Sequence, residues 1–571
     1  MKKLFVINKK INFFEKKKIL SFIKSKKIII LDINYDQNKE FYERVKILNH
    51  IIKYNFFFEK NFYKIKFLYE KKIRIFLRDN PNYILFKFSE INFSDFWWKL
   101  VFNVEAINIF CKKNRIKEVK VFEKINSHLS QSLFHQKNKK YLIKRKYNIA
   151  LILYRFYLKK ICYFNLFKEI FSNIRCMKIN NKNLFKKKNY IYASFPQGWT
   201  FIKKPRNRFL GDKISNNSCY LFSINRNNQY KLSLNYNLIA KLNRVRNYCI
   251  LESYASITNI LKNYLFLSKN KKKIFLNLNT IFENNFISNI LTYGIIYVEK
   301  PKNNVFINNL NQFHKFNSVK KIIHTIPEFI DGRIINKFFN ELNVNTFSAQ
   351  HSSIGVLQSS RFIFMIKILD KINKNFVSKK IFVENNIIKK KLKDIGSTVK
   401  VVGNIRINKK KLSKIINKEN IYYIAEMHNI NSLKTIINKV LKIFKKKNLF
   451  IRVHPEKKNI QTKIILKLKE YNKRLFIDKY TSITYAIKYI KPFLVFTSTP
   501  TVYNELTTNQ IKTILIKDSS FFTNYPVDIN SKKIFSTINF NSKDYKGQIH
   551  KVPTKIFGKK AEDKIYNFFN E

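Results

Sequence analysis

Basic and hydroxyl side chains follow two apolar runs in the second half of this 571-residue chain. The run LFIRVHP ends with Arg452 and His454, and the run FLVFTST ends with Ser498 and Thr499 and is followed by Glu505. Hydroxyls and backbone N–H groups at the start of a helix bind phosphate oxygens, helped by the helix dipole. Arginine adds a bidentate phosphate contact, and histidine adds a hydrogen bond or a proton. The pattern predicts a site for a phosphate-bearing ligand, with Glu505 placed to accept hydrogen bonds from ribose hydroxyls.

Each of these features also has a structural explanation when it is taken alone. A His-Pro pair usually belongs to a turn, a Ser/Thr group before a helix usually caps that helix, and a single glutamate on a helix is usually solvated. The recurrence of such features at successive strand ends of one expected sheet favours the ligand site.

Further polar residues lie upstream. Gln350 and His351 end the strand-like run at 343–350, and the sequence GNIR puts Gly403 and Arg406 at another strand end. Within PEFIDGR, Glu328 and Asp331 stand in a turn-like setting before a helix. A histidine or carboxylate in such a place serves as a general base toward a hydroxyl. A hydrogen-bonded structural histidine and a helix-capping acid are equally good explanations.

Glycine is scarce in this sequence, with nine residues in the whole chain. The cluster formed by Gly332, Gly355, Gly396 and Gly403 therefore predicts tight turns or close backbone approach in this region. Gly396 is expected to be the C-cap glycine of a helix that begins near residue 385.

Apolar runs and helical segments alternate along most of the chain. Between 377 and 517 a strand followed by a helix recurs five or six times, which predicts an α/β protein with a doubly wound sheet that binds ligands beyond the carboxyl ends of its strands. Residues 190–352 form a second α/β unit, with strands expected at 273–279 and 290–299 among others. Residues 1–180 also alternate, and the Trp97-Trp98 pair is expected in a core.

The formal net charge of +76 is typical of proteins that bind polyanions. Lysine is scattered along a chain that is poor in glycine and proline, as expected from a gene rich in A and T. No arginine-rich arm, zinc-finger spacing or aromatic-glycine RNA-binding signature accompanies it. Codon bias therefore explains the charge better than nucleic-acid binding does, with loose adhesion to an anionic membrane face as a by-product.

The five cysteines are odd in number and lack CxxC spacing, so neither a disulfide framework nor a zinc site is expected. No cleavable signal sequence is recognisable, and no uncharged run approaches the roughly 18 apolar residues that a membrane span needs. A cytoplasmic protein is predicted, with peripheral contact to the inner face of the cytoplasmic membrane allowed by the charge.

The order of these motifs resembles that of the GT-B glycosyltransferases of bacterial surface-carbohydrate (lipopolysaccharide-type) biosynthesis. In that wider group a Gln-His-Gly or Gln-His-Ser element precedes a Gly-x-x-Arg turn, an Arg-x-His-Pro and a Ser-Ser/Thr element followed by Glu. The same order appears here at 350–352, 403–406, 452–455 and 498–499, with Glu505. More distantly, the chain resembles CDP-glycerol glycerophosphotransferases and bacterial sialyl- and Kdo-transferases. The resemblance covers about residues 190–520 and leaves the first 180 residues unexplained.

The resemblance implies two Rossmann-like domains that face a cleft, with an extra N-terminal α/β region. His351 would orient or deprotonate the acceptor, and Glu328 and Asp331 are candidates for the base. QHS stands where the glycerophosphotransferases have QHG, and the acidic base of the sialyltransferases has no firm counterpart. The implied residues for the CMP-, CDP- or UDP-linked donor are Gly403, Arg406, Arg452, His454, Ser498, Thr499 and Glu505.

The resulting prediction is a transferase that moves a sugar from a nucleotide-activated donor to a cell-surface polysaccharide or lipid-linked glycan. No cofactor is expected, and no metal, since no Asp-x-Asp stands at a strand end. Glycerol phosphate in place of the sugar, a nucleic-acid-binding protein and a non-catalytic GT-B-like scaffold stay open. The expected divisions are an accessory region (1–185), an acceptor-side domain (186–375), a donor-binding domain (376–520) and a helical tail (521–571).

Overall fold

A computed structural model gives the fold of the chain. It describes residues 3–8, 28–32, 51–90, 96–123, 128–136, 142–143, 150–180, 189–192, 199–200, 206–207, 210–226, 248–267, 270–350, 360–405, 416–425, 433–454, 458–480, 482–497, 499–517, 535–536 and 558–571.

The N-terminal region contains one parallel sheet and long helices. Its strands are β1 (Lys3–Asn8), β2 (Ile28–Asp32), β3 (Ile51–Lys53), β4 (Glu118–Glu123) and β5 (Leu142–Ile143). Its helices are α1 (Tyr54–Asp79), α2 (Phe96–Asn114), α3 (Leu129–Phe134) and α4 (Ala150–Asn180). The strand order is β3-β2-β1-β4-β5, so the first strand of the unit lies inside the sheet.

The second unit is built on seven parallel strands. They are β6 (Asn189–Tyr192), β9 (Cys219–Phe222), β10 (Tyr248–Ile250), β11 (Lys321–His324), β12 (Asn345–Ala349), β13 (Lys380–Val383) and β14 (Thr398–Val401), and the small antiparallel pair β7 (Trp199–Thr200) and β8 (Arg206–Asn207) lies outside the sheet. The order is β10-β9-β6-β11-β12-β13-β14. The helices are α5 (Asp212–Asn217), α6 (Ile257–Leu265), α7 (Lys271–Phe282), α8 (Asn285–Gly294), α9 (Lys300–Asn317), α10 (Ile330–Glu341), α11 (Met365–Ile372) and α12 (Asn386–Lys391).

The third unit has six parallel strands in the order β17-β16-β15-β18-β19-β20. These strands are β15 (Asn417–Ile424), β16 (Asn448–Arg452), β17 (Leu475–Ile477), β18 (Pro492–Thr497), β19 (Thr513–Lys517) and β20 (Phe535–Ser536). The helices are α13 (Leu433–Ile443), α14 (Lys458–Lys469), α15 (Ile483–Ile490) and α16 (Pro500–Thr508), and α17 (Gly558–Asn570) follows the unit.

Counted along the chain, the third sheet has the order 3-2-1-4-5-6 of the Rossmann fold, and the second sheet has the same order with one more strand. Residues 421–424 of β15 are all buried, as expected for a parallel strand with both faces covered. The predicted α/β class, with two Rossmann-like units and an additional N-terminal α/β region, is confirmed.

Two expected strands are helices. The segment 273–279 lies in α7, where the buried residues Ile274, Leu278 and Ile281 are three and four positions apart, which is helical spacing. The segment 290–299 lies in α8 and a following π-helical turn, and Asn284 starts α8 by accepting hydrogen bonds from the N–H groups of Phe286 and Ile287. Apolar runs of this length do not distinguish a strand from a buried helix.

The pairing of β12 with β13 places 380–401 in the second sheet, whereas the sequence assigned this segment to the third unit. The expected C-cap role of Gly396 is wrong, because α12 ends at Lys391. Gly396 instead donates its backbone N–H to the carboxylate of Asp370, at 3.0 and 3.1 Å.

Arg333 of α10 joins the second unit to the N-terminal region. Its side chain is fully buried and donates to the carbonyl oxygen of Ile84 at 2.6 Å and to the hydroxyl of Ser89 at 2.7 Å. It lies 3.2 Å from the buried carboxylate of Glu90 and also donates to the carbonyl of Glu328. A guanidinium can be buried only when its donors are satisfied in this way.

Aromatic side chains fill the cores. Trp98 is fully buried and donates its indole N–H to the carbonyl of Glu90 at 3.1 Å, which confirms a core role. Phe569 of α17 packs edge-on against Phe347 of β12, so the helix after the third unit completes the core of the second. Among the described helices, none is both long and apolar enough to cross a membrane.

Among the glycines Gly211, Gly294, Gly332 and Gly396, Gly332 leaves the least room for a side chain. A Cβ atom there would lie 1.9 Å from the carbonyl oxygen of Ile326, whereas a Cβ on Gly294, at the end of α8, would meet no atom within 4 Å. We predict that Gly332→Ala lowers the free energy of unfolding by about 3 kcal/mol or more, since a backbone oxygen must move. Gly294→Ala should raise it by about 0.5 to 1 kcal/mol through helix propensity. Urea denaturation measures both, and equal effects would contradict the close approach.

Candidate functional site

The carboxyl edge of the second sheet carries a continuous set of polar side chains. The topological switch point, where successive connections leave in opposite directions, lies between β6 and β11. Ligands of doubly wound sheets bind at such points. Glu328 lies in the turn that follows β11 and Asp331 in the first turn of α10, so the structure places both of these predicted residues at the switch point.

The carboxylate of Asp331 is held by two partners from neighbouring strands. Arg226, which follows β9, donates to it through Nε at 2.8 Å and also through its second terminal nitrogen. The hydroxyl of Tyr192, at the end of β6, donates to the other carboxylate oxygen at 3.3 Å. Arg226 reaches Asn303 of α9 as well, at 2.9 Å. Asp331 therefore serves as the acceptor in a charge-assisted network.

A pair of buried glutamates lies beside this network. Asn225 donates its side-chain amide to Glu169 of α4 at 2.6 Å and its backbone N–H to Glu252 at 2.9 Å. Ser223 donates to the same oxygen of Glu252 at 2.7 Å. Burial, followed by the charge of Glu252, raises the pKa of Glu169 to about 7. The carboxyl group of Glu169 thus keeps an exchangeable proton near neutral pH.

The turn between β11 and α10 is fixed by His324. The ring Nε2 lies 2.8 Å from the side-chain oxygen of Asn336, and Nδ1 accepts the backbone N–H of Ile326 at 3.3 Å. Burial lowers the pKa of His324 to about 4. The ring is therefore neutral, with Nδ1 as acceptor and Nε2–H as donor. Through the bond to Ile326, His324 fixes the conformation of the turn that contains Glu328. The side chain of Glu328 is buried.

Gln350, Glu384 and Asn404 form a second network further along the same edge. Gln350 accepts the backbone N–H of Glu384 at 3.0 Å and donates to its carboxylate at 3.3 Å, and Asn404 donates to the other carboxylate oxygen at 3.0 Å. Gly403 has φ of +92°, which other residues rarely adopt. The predicted turn at GNIR is thus a glycine turn that delivers Asn404 to this network.

In the third sheet, Ile424, Arg452 and Thr497 lie in register at the carboxyl ends of three adjacent strands. The switch point lies between β15 and β18. Thr497 ends β18 and Thr499 comes shortly after it, so both lie at the switch point. Arg452 lies one strand further away, at the end of β16. The residues that the sequence predicted to bind phosphate therefore lie at the edge where Rossmann-type sheets bind ligands.

Arg452 is already engaged in an ion pair. Its terminal nitrogen donates to Asp478 at 2.6 Å, and the same carboxylate oxygen accepts the hydroxyl of Tyr422 at 2.6 Å. The Asp478 side chain is fully buried. Replacing Arg452 by a neutral residue would leave that carboxylate uncompensated, which is costly for folding.

The structure also shows where the predicted residues His454 and Glu505 lie. The backbone N–H of His454 donates to the buried side chain of Gln461 in α14 at 2.7 Å, so the turn after β16 is held from the neighbouring helix. Glu505 lies on α16, half-buried, in the second turn of that helix. Gln461 was not among the predicted residues.

The start of α16 combines the features of an anion-binding helix terminus. Thr499 is its N-cap, the helix has Pro500 in its first turn, and that turn contains no acidic residue. The hydroxyl of Thr497 accepts the backbone N–H of Thr499 at 3.2 Å. The Thr499 hydroxyl makes no capping bond to the helix.

Three predicted site residues, His351, Arg406 and Ser498, lie outside the described residues, and so does Gly355 of the predicted glycine turns. Sequence reasoning missed Arg226, Glu252 and Glu169. Arg226 and Glu252 follow β9 and β10 by four and two positions. A charged residue at the end of an apolar strand is the signal that identified Arg452, and the same signal applies to these two residues. Glu169 reaches the edge from a helix far away in the sequence, and no local pattern reports that.

No protein-family model and no curated protein matches the chain. Among solved structures, it is similar to the UDP-GlcNAc 2-epimerase of Methanocaldococcus jannaschii, at 10% identity over 67% of this chain and 99% of that chain, with a TM-score of 0.38. The same values describe its similarity to the UDP-GlcNAc 2-epimerase of Neisseria meningitidis bound to UDP-GlcNAc. A variant of S. aureus TarM gives 16% identity over 44% and 48% of the two chains, with a TM-score of 0.28.

Because the pKa of Glu169 is raised in the folded chain, we predict that the free energy of unfolding depends on pH. Below pH 4.5, Glu169 is protonated in both the folded and the unfolded chain, whereas between pH 4.5 and about 7 only the folded chain keeps the proton. The free energy of unfolding should therefore fall by about 3 kcal/mol as pH rises through this window, at roughly 1.4 kcal/mol per pKa unit.

Glu169→Gln should flatten this slope, and Glu470→Gln, at an exposed position after α14, should leave it unchanged. Urea denaturation at a series of pH values measures the slope. An unchanged slope in Glu169→Gln would show that Glu169 does not hold the proton.

Proposed function

We propose that this protein is a glycosyltransferase that moves a sugar from a nucleotide-activated donor to a cell-surface polysaccharide or lipid-linked glycan. One observation carries the proposal: the Rossmann strand order of the third sheet puts Thr499 and the N-terminus of α16 at the switch point. The strand order by itself supports a nucleotide-binding site. The order of the motifs at 350–352, 403–406, 452–455 and 498–499 is what favours a glycosyltransferase.

On the donor side, the phosphate groups would lie at the start of α16. The backbone N–H groups of its first turn, the hydroxyls of Ser498 and Thr499 and the side chain of His454 are the proposed donors. Glu505, one turn into the helix, would accept hydrogen bonds from ribose hydroxyls, and Gly403 and Arg406 are the further donor-binding residues that the motif order implies. These groups would stabilise the charge that develops on the phosphate as the sugar–phosphate bond breaks.

Arg452 has a different role in this proposal from a simple phosphate ligand. Its charge is balanced by Asp478, so it adds little net attraction for an anion. Its position at the strand end is fixed by this pair and by a hydrogen bond from the same terminal nitrogen to the carbonyl oxygen of Tyr480 at 3.2 Å. We therefore assign Arg452 to shaping the donor side of the site rather than to charge neutralisation.

On the acceptor side, a hydroxyl of the glycan would lose its proton as its oxygen attacks the anomeric carbon. We propose that His351 orients or deprotonates this hydroxyl, with Glu328 and Asp331 as the alternative bases. Asp331 already accepts hydrogen bonds from Arg226 and Tyr192, which hold its carboxylate at the carboxyl edge of the second sheet.

The donor-site proposal is tested with Thr499→Ala and His454→Ala in the full chain. Thr499 makes no capping bond with its hydroxyl, so its loss should leave stability unchanged while weakening nucleotide binding by about tenfold, the loss expected for a hydrogen bond to a charged group. Calorimetric titration with CMP, CDP, UDP and GDP measures the affinity and identifies the base.

The matched control is Thr398→Ala, at the exposed start of β14 and away from any carboxyl edge. It should bind nucleotide like the parent protein. Unchanged nucleotide affinity in both Thr499→Ala and His454→Ala would reject the site. Polynucleotide binding that falls steeply with salt and ignores both substitutions would favour the nucleic-acid alternative.

A further inference from the structure

Helix α4 carries a long apolar face that the described part of the chain leaves exposed. Ten large side chains on it are between 42% and 68% exposed, led by Phe167 at 68% and Phe156 at 65%. The full set is Ile152, Leu153, Phe156, Tyr157, Tyr163, Phe164, Phe167, Phe171, Ile174 and Met177. We call these ten residues the α4 face.

The α4 face is one continuous surface. At 100° per residue its members cover about 160° of the helix circumference, and from Ile152 to Met177 they extend for about 38 Å. The opposite side of the helix is buried, where Leu158, Cys162 and Leu166 belong to the large shared core. Soluble monomers rarely expose apolar patches of this size, and such patches mark contact sites.

The charges around the α4 face are positive. Lys159 borders it on one side and Arg175 on the other, and the guanidinium of Arg175 lies 4.3 Å from the ring centre of Phe171. The sole acidic residue of the helix, Glu169, points into the core and contacts Asn225. The rim of the face therefore attracts anions.

Further basic residues lie at the N-terminal half of the helix. Arg155 and Lys271 both lie against the ring of Tyr293, at 5.5 and 4.6 Å from its centre. This contact brings the start of α7, with the exposed Lys272 and Lys273, beside α4. The exposed Phe266 stands between α6 and this lysine cluster.

We propose that the α4 face docks on an anionic lipid surface, with the helix lying in the plane of the membrane interface. Aromatic and aliphatic side chains that enter the headgroup boundary, bordered by Lys and Arg, are the composition of interfacial helices. This inference stands independently of the donor site.

Two observations favour a membrane over a second copy of the chain. Lys160 lies in the middle of the α4 face. A helix–helix interface that excludes water would desolvate its ammonium group, which costs free energy. At a lipid interface the same side chain extends its ammonium group to the phosphate headgroups. Two copies, each with a net charge of +76, would also repel one another.

The test is sedimentation of the full chain with vesicles of phosphatidylglycerol mixed with phosphatidylcholine, and with vesicles of phosphatidylcholine alone. The parent protein should bind the anionic vesicles more tightly. The triple variant Phe156→Ser, Phe164→Ser, Phe167→Ser keeps every charge and should bind them at least about tenfold more weakly, because it loses three inserted rings.

A matched control removes three exposed aromatic rings elsewhere: Phe67→Ser, Phe316→Ser and Tyr471→Ser. It should bind like the parent. Equal binding by the triple variant would reduce the interaction to charge alone and overturn the proposal, as would failure of the parent protein to bind. A parent dimer that the triple variant converts to monomer in sedimentation velocity would assign the face to a second copy instead.

A second measurement does not depend on losing aromatic rings. Phe164→Trp places an indole in the middle of the α4 face. Its fluorescence should be quenched by brominated lipid in anionic vesicles and should stay unquenched in the control variant Tyr471→Trp. Absence of quenching in Phe164→Trp bound to vesicles would show that another surface makes the contact.

Discussion

The burial of Arg333 constrains the whole first half of the molecule. A guanidinium inside a core is stable only while its N–H groups keep their acceptors, and these come from two parts of the chain that are far apart in sequence. Ile84, Ser89 and Glu90 belong to the N-terminal region, and Glu328 belongs to the turn at the switch point. Docking of the N-terminal region and the conformation of that turn are therefore one structural requirement.

The turn between β11 and α10 requires particular residue types in and around the sequence PEFIDGR. Gly332 leaves room for the carbonyl of Ile326, and neutral His324 binds the N–H of that same residue. Asp331, one position before the glycine, is then presented to Arg226. A candidate site residue is thus positioned by a buried cation, a glycine and a neutral histidine that have no need to touch a ligand.

Local patterns in the sequence predicted five of the six strands of the third sheet and the polar residues at their ends, because parallel strands buried on both faces are short apolar runs with abrupt polar boundaries. They missed β20, which lies in the segment expected to be a helical tail. The patterns failed at 273–279 and 290–299, because short apolar runs of this length occur in helices as well as in strands. They also could not report that Arg452 would pair with Asp478, or that Glu169 would meet Asn225. Such contacts depend on tertiary packing, and the long-range partner decides whether a polar residue binds a ligand or another side chain.

The position of α17 affects the order in which the chain acquires its structure during synthesis. This helix supplies Phe569 to the core of the second unit, yet it is translated after every strand of the third unit. On the ribosome the third sheet can therefore close while the second still exposes Phe347 and Phe382. The second unit, although encoded earlier, is completed later, and its unfinished core is the surface that chaperones would meet.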